Sequence, residues 1–232
     1  MAIKRLLFIH GNLDVPASFD ALLPLLPPAK TLCIDLEADF NAWDAVVPVT
    51  VRTVAERVAQ AYRIGPDDIL IGHSMGGWIA AHVKELTGSV VIQLSSWTDP
   101  RKIKSPLRRL DLIRPIINSG VVQHPFCIRV AKRLYPFRQS RARIQAALDR
   151  VQHMNPAYMI WQYELIFSTV PPLAVLPDLR IHDRRDPVIS PPDEPFVNVP
   201  GKHKIHATNA PGVANAISEF IQTQRQFGQP AT

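Results

Sequence analysis

The sequence predicts an α/β protein with a mostly parallel sheet of about six strands, flanked by helices and interrupted by one helical insertion. Short runs rich in leucine or β-branched residues alternate with longer stretches of helical period, the pattern of parallel βαβ units. The strand-like runs are apolar on both faces, as a sheet covered by helices on both sides requires. With 232 residues, 47% of them hydrophobic and 20% charged, the chain is long enough for one sizeable core.

Six runs are predicted to form the sheet, and four stretches between them are predicted to be helices. The strands are predicted at residues 5–9, 31–34, 69–71, 90–94, 179–181 and 196–199, and the helices at 18–26, 51–64, 75–87 and 212–222.

The alternation of strands and helices breaks after the fourth strand. Residues 99–175 have helical periodicity punctuated by proline, and the strand pattern resumes at Leu179. We therefore expect residues 1–98 and 176–232 to form the core and residues 99–175 to form a helical cap. The cap is basic, because residues 99–150 contain thirteen Lys or Arg against three Asp in a chain of net charge +6.

The sharpest motif is Gly-x-Ser-x-Gly at residues 72–76, which follows a strand-like run and opens a helical one. A serine hydroxyl is a poor nucleophile unless a base takes its proton, so Ser74 must stand where a histidine can reach it. A sharp strand-to-helix turn achieves this, and Gly72 and Gly76 remove side chains that would collide in the bend. The N-terminus of the helix adds free N–H groups, and we expect the Met75 amide to face any oxyanion that forms.

This strand–turn–helix arrangement resembles the nucleophile elbow of the α/β-hydrolase family. The family takes a second oxyanion donor from a loop that begins His-Gly after an earlier strand, and His10-Gly11 matches that loop. The resemblance implies that the backbone N–H of Asn12 is this donor, with Leu13 as the alternative.

The resemblance also implies an acid. The family places its acid after a late strand, in a Gly-x-x-Asp-x-x-Val pattern, and residues 183–188 resemble it, with Asp183 in place of the glycine and Val188 one position early. Asp186 is therefore the expected acid, with Asp183 and Asp99 as alternatives.

The base in this family follows a glycine near the last helix. Gly201-Lys202-His203 fits that pattern and implies His203, with His206 as the rival. The chain order of Ser74, Asp186 and His203 is the order of the family. The implied chemistry is acyl transfer through an acyl-enzyme on the serine, without a cofactor or metal.

Two departures from the family pattern indicate a reduced core. The chain starts at the strand that leads to the oxyanion loop, so the two antiparallel strands that usually come first are missing. Few residues separate Asp186 from His203, and Pro191, Pro192 and Pro195 are among them, which leaves little room for the helix normally found there.

The cap is expected to lie over the serine and to shape a pocket lined by Leu13, Trp97, Tyr158 and Trp161; the alternative is that such aromatic residues only pack the cap onto the core. Its basic residues suggest an anionic acyl donor or partner, such as a coenzyme A thioester, an acidic acyl-carrier protein or an anionic lipid surface. The alternative is a solvated helix face.

The composition excludes several classes of protein. No apolar stretch approaches the roughly 20 residues that a membrane span requires, and no targeting peptide is recognised, so a cytoplasmic location is expected. Nucleic-acid binding is suggested only by the high isoelectric point, without a recognised module. No carboxylate or cysteine stands at ligand spacing around His203 and His206, so no metal is expected.

The leading hypothesis is a serine hydrolase of carboxylic esters or thioesters with a small to medium acyl group. A cofactor-free dioxygenase of the same fold is a second hypothesis, because some of these enzymes share a Gly-Gly-Trp sequence like residues 76–78. A ligand-binding protein that kept the pocket without turnover is the third.

Overall fold

The computed structural model describes residues 4–43, 48–105, 108–134 and 141–227. Six strands form one sheet in the order β2-β1-β3-β4-β5-β6, and every adjacent pair is parallel. The predicted α/β class is therefore confirmed. The strands are β1 (Arg5–Ile9), β2 (Thr31–Ile34), β3 (Asp68–His73), β4 (Val90–Leu94), β5 (Leu179–His182) and β6 (Val197–Asn198).

Helices separate most of the strands, and four of them form the insertion between β4 and β5. The helices are α1 (Leu36–Ala42), α2 (Val51–Ala61), α3 (Met75–Thr87), α4 (Leu110–Asn118), α5 (Pro125–Leu134), α6 (Arg141–His153), α7 (Pro156–Ile166), α8 (Ile205–Thr208) and α9 (Ala210–Phe227).

The prediction of a helix at residues 18–26 is wrong. The chain forms two short 3-10 helices there, Pro16–Phe19 and Leu23–Leu25, because Pro24 lacks the N–H that a continuous α-helix would need at that position. Sequence periodicity also missed α1, which begins where the Asp35 carboxylate accepts hydrogen bonds from the N–H groups of Glu37 and Ala38.

The two faces of the sheet pack against different sets of helices. Along β1, Leu7 and Ile9 belong to the cluster that includes α2 and α3, whereas Leu6 and Phe8 belong to the cluster that includes α9. This division follows from the two-residue period of a strand. It explains why the strand segments are apolar on both faces.

The insertion packs directly onto the core. Ile113, Tyr158 and Leu165 of the insertion belong to the same buried cluster as Leu7 and Trp78. A short antiparallel bridge between Ile103 and Ile189 ties the start of the insertion to the loop after β5. The division into a core of residues 1–98 and 176–232 and a cap of residues 99–175 stays a prediction.

Within the described ranges, no helix combines the length and apolar character needed to cross a membrane.

Candidate functional site

Ser74 lies at the turn between β3 and α3. Its backbone has φ 52° and ψ −119°, a conformation that L-residues rarely adopt. Hydrogen bonds hold it there, because the Ser74 carbonyl accepts from the N–H groups of Gly77 and Trp78 and from the Ser96 hydroxyl, at 3.0, 3.2 and 2.7 Å. Strain that is held in place by its surroundings is typical of functional positions.

The glycines around Ser74 are required by packing. A Cβ at Gly72 would collide with the Gly76 carbonyl, and a Cβ at Gly76 would collide with the Ile9 carbonyl of β1. A Cβ at Gly77 would lie 2.6 Å from the Ser96 side chain. The turn therefore packs too closely for any larger residue, and this closeness brings α3 against the first strand.

His203 bridges Ser74 and Asp186. Its Nε2 lies 3.1 Å from the Ser74 Oγ, and its Nδ1 lies 2.9 Å from the Asp186 Oδ2. Because Nδ1 faces a carboxylate it carries the proton, which leaves the Nε2 lone pair to accept the serine O–H. This arrangement has the geometry of a nucleophile, a base and an orienting acid.

Asp186 is buried and held by three hydrogen-bonded groups. Besides contacting His203, its Oδ1 accepts from the N–H groups of Val188 and Ile189 at 2.7 and 3.1 Å. Burial raises the pKa of this carboxyl, but its hydrogen bond and electrostatic interaction with His203, with those two amides, outweigh burial and lower the pKa below its usual value. Asp186 is therefore ionised beside the imidazole.

The two alternative acids lie in other surroundings. Asp183 accepts backbone N–H groups of Gly201 and Lys202 at 2.8 and 2.6 Å, which anchors the loop that carries His203. Asp99 caps the short 3-10 helix that follows it and pairs with Arg101. Of the three aspartates, Asp186 is the one hydrogen-bonded to the imidazole.

The rings of His73 and His206 pack against each other beside His203, with their planes inclined at 52°. Their ring centroids lie 4.2 Å apart, and His73 Nε2 donates to the His203 carbonyl at 3.0 Å. Burial, followed by the neighbouring histidines, holds the pKa of His73 well below its ordinary value. His73 is therefore neutral and supports the backbone of His203.

The loop after β1 lies against the serine. A Cβ at Gly11 would stand 3.1 Å from the Ser74 Cβ, so only glycine allows this approach. The Leu13 N–H donates to the Gln162 Oε1 at 2.8 Å, so it is not available to an oxyanion. The Asn12 N–H remains the oxyanion donor predicted from this loop, together with that of Met75, the first residue of α3.

A cavity of about 240 Å³ opens onto Ser74. Ser74 is only 7% exposed, so its hydroxyl is reached through this cavity and not from the outer surface. Other lining residues come from the end of β3, the loops after β1, β4, β5 and β6, and the end of α7. They are Asn12, His73, Trp97, Ile103, Ser105, Tyr163, Ile166, Phe167, Val188, Ile189, His203 and Lys204.

Of the four predicted pocket residues, Trp97 lines the cavity and the other three do not. Tyr158 and Trp161 pack against Phe40, with ring centroids 5.3 and 5.6 Å from it, on another face of α7. Leu13 packs against the core cluster. The predicted pocket roles of Leu13, Tyr158 and Trp161 therefore do not fit this cavity.

The residues of α7 that line the cavity were not predicted from the sequence. Tyr163 and Ile166 share one helix face by their spacing, and Phe167 follows directly after the helix. α7 is apolar around most of its circumference, so periodicity could not tell the face toward the cavity from the face toward the core. A glutamine in this apolar helix, Gln162, was the one sequence feature of α7 that the predictions did not use, and its side chain is buried.

Among the described residues, one group has the spacing of metal ligands. Ligand atoms of Asp14, His73 and His206 lie within 4.8 Å of one another. Two cations already accompany the carboxylate, because Lys204 Nζ and Arg150 Nη2 lie 3.1 and 3.5 Å from Asp14. A metal ion here would compete with both, and we assign Asp14 to these ion pairs.

A strained serine between a parallel strand and a helix, facing a histidine on a late loop, is the architecture of the α/β hydrolases. The sequence model of the alpha/beta hydrolase family matches residues 6–217. The chain therefore belongs to the alpha/beta hydrolase family.

Solved structures with the same fold include three at low sequence identity. A hydrolase from Oleispira antarctica is 15% identical, with a TM-score of 0.72 over 94% of this chain and 91% of that chain. A thermophilic esterase from Thermogutta terrifontis is 14% identical, with a TM-score of 0.61 over 94% and 89%. A thioesterase from the prodiginine biosynthetic pathway in Streptomyces coelicolor is 17% identical, with a TM-score of 0.57 over 91% and 83%. Comparison with curated protein sequences gave no match.

Proposed function

We propose that this protein is a serine hydrolase that cleaves a carboxylic ester or thioester through an acyl-enzyme on Ser74. The observation that carries the proposal is the continuous hydrogen-bonded chain from the Ser74 Oγ through His203 to Asp186 at the floor of a cavity. The esterase and thioesterase among the structures of the same fold are consistent with it.

The reaction proceeds in two halves. Ser74 Oγ attacks the acyl carbon while His203 Nε2 takes its proton, and the amides of Met75 and Asn12 hold the oxyanion. His203 then gives that proton to the departing alkoxide or thiolate, which leaves the acyl group on Ser74. In the second half His203 deprotonates a water that attacks the acyl-enzyme, and the same proton returns to Ser74 as the acid leaves.

The cavity favours a small to medium, uncharged acyl group. Its volume of about 240 Å³ lies below the range of about 300–1,000 Å³ of drug-sized ligand sites. Aromatic and branched aliphatic side chains form much of its wall, and Lys204, the one Lys or Arg among the described residues that line it, is paired with Asp14. Coenzyme A or a carrier protein would therefore have to bind outside the cavity, with only the acyl end inside.

A chain-length series of p-nitrophenyl esters, with and without a fluorophosphonate probe, tests the proposal. We expect the wild type to be labelled and to prefer short acyl chains, and Ser74→Ala to lose labelling and at least about 10³-fold in kcat. Ser89→Ala, which removes another buried serine hydroxyl far from the cavity, is the matched control and should keep both. Full turnover in Ser74→Ala would reject the proposal.

No observation favours the dioxygenase hypothesis over hydrolysis. The Gly-Gly-Trp sequence has a packing role, since Gly77 lies against Ser96 and the buried Trp78 ring contacts His82 at a centroid distance of 4.3 Å. The ligand-binding hypothesis predicts a wild type that binds the ester series without turnover, so the same assay distinguishes it.

A further inference from the structure

Two side chains of the insertion form hydrogen bonds with the backbone of Leu13, in the loop after β1 that carries the proposed oxyanion donor. The Leu13 N–H donates to Gln162 Oε1 at 2.8 Å, and the Leu13 carbonyl accepts from Arg150 Nη2 at 3.1 Å. Both side chains belong to the insertion, Arg150 on α6 and Gln162 on α7. The two hydrogen bonds hold the peptide groups on both sides of Leu13.

Leu13 needs such support because its backbone is strained. Its φ of 54° lies in the left-handed region, which a leucine rarely adopts because its Cβ crowds the backbone there. The rest of the loop is held by a turn, in which the Asp14 N–H donates to the Gly11 carbonyl at 3.3 Å, and by the Asp14 carboxylate, which accepts from Lys204 Nζ at 3.1 Å. Without external hydrogen bonds, Leu13 would relax to an ordinary conformation and carry its neighbour Asn12 with it.

The buried amide of Gln162 needs a hydrogen-bond partner, and the Leu13 N–H provides one. The Gln162 side chain is 1% exposed in an otherwise apolar part of α7, and its amide nitrogen faces the Met154 sulfur, a weak acceptor, at 3.6 Å. A buried amide costs free energy unless it is hydrogen-bonded, so the Leu13 N–H is its main partner here. The contact spans 149 positions of sequence, from the insertion to the first loop.

We infer that Gln162 and Arg150 are positioning residues that hold the Asn12 N–H toward the oxyanion, so that docking of the insertion completes the catalytic site. This inference rests on the proposed function. We call the two hydrogen bonds that join Leu13 to Gln162 and Arg150 the clamp. Because the oxyanion forms only in the transition state, loss of the clamp should lower kcat and leave KM nearly unchanged.

The test compares Gln162→Leu with Ser168→Ala. Ser168 Oγ accepts the Val51 N–H at 3.1 Å, which is an equivalent hydrogen bond between the insertion and the core, away from the oxyanion loop. We expect both variants to lower the melting temperature, but only Gln162→Leu to lower kcat, by about 10- to 100-fold. Gln162→Glu, which keeps the acceptor oxygen, should recover most of the loss.

Arg150→Met is the second variant; it also removes the Arg150 ion pair of Asp14, whose carboxylate keeps Lys204 as a partner. It should lower kcat with little change in KM. If Gln162→Leu and Arg150→Met both keep the kcat of Ser168→Ala, while Ser74→Ala is inactive, the clamp is wrong and the proposed function stands. If Ser74→Ala keeps full turnover, the proposed function itself fails.

A separate observation concerns the outer face of α5. Phe126, Val130 and Leu134 recur every four residues and are 64%, 37% and 73% exposed, whereas Ile128 on the opposite face is buried. The three apolar side chains thus form a stripe that faces solvent.

Arginines border this stripe. Arg129 and Arg133 lie beside it by helical spacing, and neither forms an ion pair within the ranges that the structure describes. Lys132, nearer the buried side, is paired with Asp149. An apolar stripe bordered by cations is typical of helices that lie in the headgroup region of an anionic bilayer.

We propose that the outer face of α5 docks on an anionic lipid surface. Charge favours this occupant over a second copy of the chain, because pairing two such faces would bring together four arginines, none of which has an ion-pair partner in the described part of the chain. The basic composition of residues 99–150, with thirteen Lys or Arg against three Asp, adds to the attraction.

Sedimentation of the full chain with phosphatidylglycerol or phosphatidylcholine vesicles tests the docking surface. We expect binding to the anionic vesicles only, weakened by salt, with each of Arg129→Gln and Arg133→Gln lowering the affinity about fivefold. Phe126→Ser and Leu134→Ser should also lower it, whereas Leu86→Ser, at an exposed leucine of α3, should not. Equal binding by all variants, or a dimer in solution that Phe126→Ser abolishes, would overturn the proposal.

Discussion

Asp183 and Asp186 lie three positions apart in the loop after β5, yet they make different contacts. Asp186 faces the imidazole of His203, and Asp183 accepts the backbone N–H groups of Gly201 and Lys202. One aspartate therefore orients the proposed base, and the other fixes the loop on which that base stands. Asp183 occupies the position where the family pattern has glycine, so this anchoring is a local feature of the chain.

The anchoring by Asp183 predicts a pH-dependent stability. Burial raises the pKa of its carboxyl, but its backbone hydrogen bonds outweigh burial and lower the pKa below the usual value. A depressed pKa stabilises the fold above the ordinary carboxyl range, and this contribution is lost as the pH falls toward the pKa of the folded state. Asp183→Asn should therefore lower the free energy of unfolding by about 1.5–3 kcal/mol at neutral pH, and the difference should vanish in acid.

Urea unfolding over a pH series measures this difference. The exposed Asp67 offers a matched control, since Asp67→Asn should change the stability little at any pH. A deficit in Asp183→Asn that stays constant into the acid range would contradict the assigned role.

At the scale of single elements, the turn from β3 to α3 depends on close packing. The Cβ of an alanine at position 76 would overlap the Ile9 carbonyl of β1, so backbone atoms would have to move. We expect Gly76→Ala to lose about 1–3 kcal/mol of stability and to disturb Ser74. Gly65→Ala places the same methyl group in open space and should be neutral or stabilising by about 0.4–1 kcal/mol.

Thermal melts with activity assays on both variants check this prediction. Full activity and stability in Gly76→Ala would mean that the turn tolerates a side chain and that its strain is not required.

The elements differ in how far the sequence predicts them. β1, β2 and β4 have the predicted bounds, because each is a short apolar run with clear turn residues at both ends. The helix expected at residues 18–26 fails because local periodicity ignores the proline at position 24. The cavity-facing side of α7 could not be predicted, since an apolar helix buried on several sides carries no mark of which neighbour each face meets.

The residues proposed for the reaction were predictable because a tight turn and a fixed chain order constrain their sequence. The clamp on Leu13 was not, since Gln162 and Arg150 carry no motif and meet the loop only through the packing of the insertion. Local sequence patterns therefore predict the reacting residues, whereas the residues that hold the oxyanion loop are determined by tertiary packing.

At the scale of the whole molecule, the helices of the insertion differ in how much apolar surface they bury against the core. α7 contributes Tyr158 and Leu165 to the cluster that contains Trp78, whereas α5 buries only Ile128. Hydrogen exchange should therefore be slow in α7, approaching that of α3, and much faster in α5. Native-state exchange read by mass spectrometry checks this order, and equal protection of α5 and α7 would contradict it.

The central claim is that Ser74 carries the acyl group during turnover. Acid quenching of the wild type a few milliseconds after mixing with a short-chain p-nitrophenyl ester, followed by peptide mass analysis, tests this directly. We expect one acyl group on the peptide that contains Ser74 and none in Ser74→Ala. Turnover of the ester with no acylated peptide, and undiminished in Ser74→Ala, would contradict it.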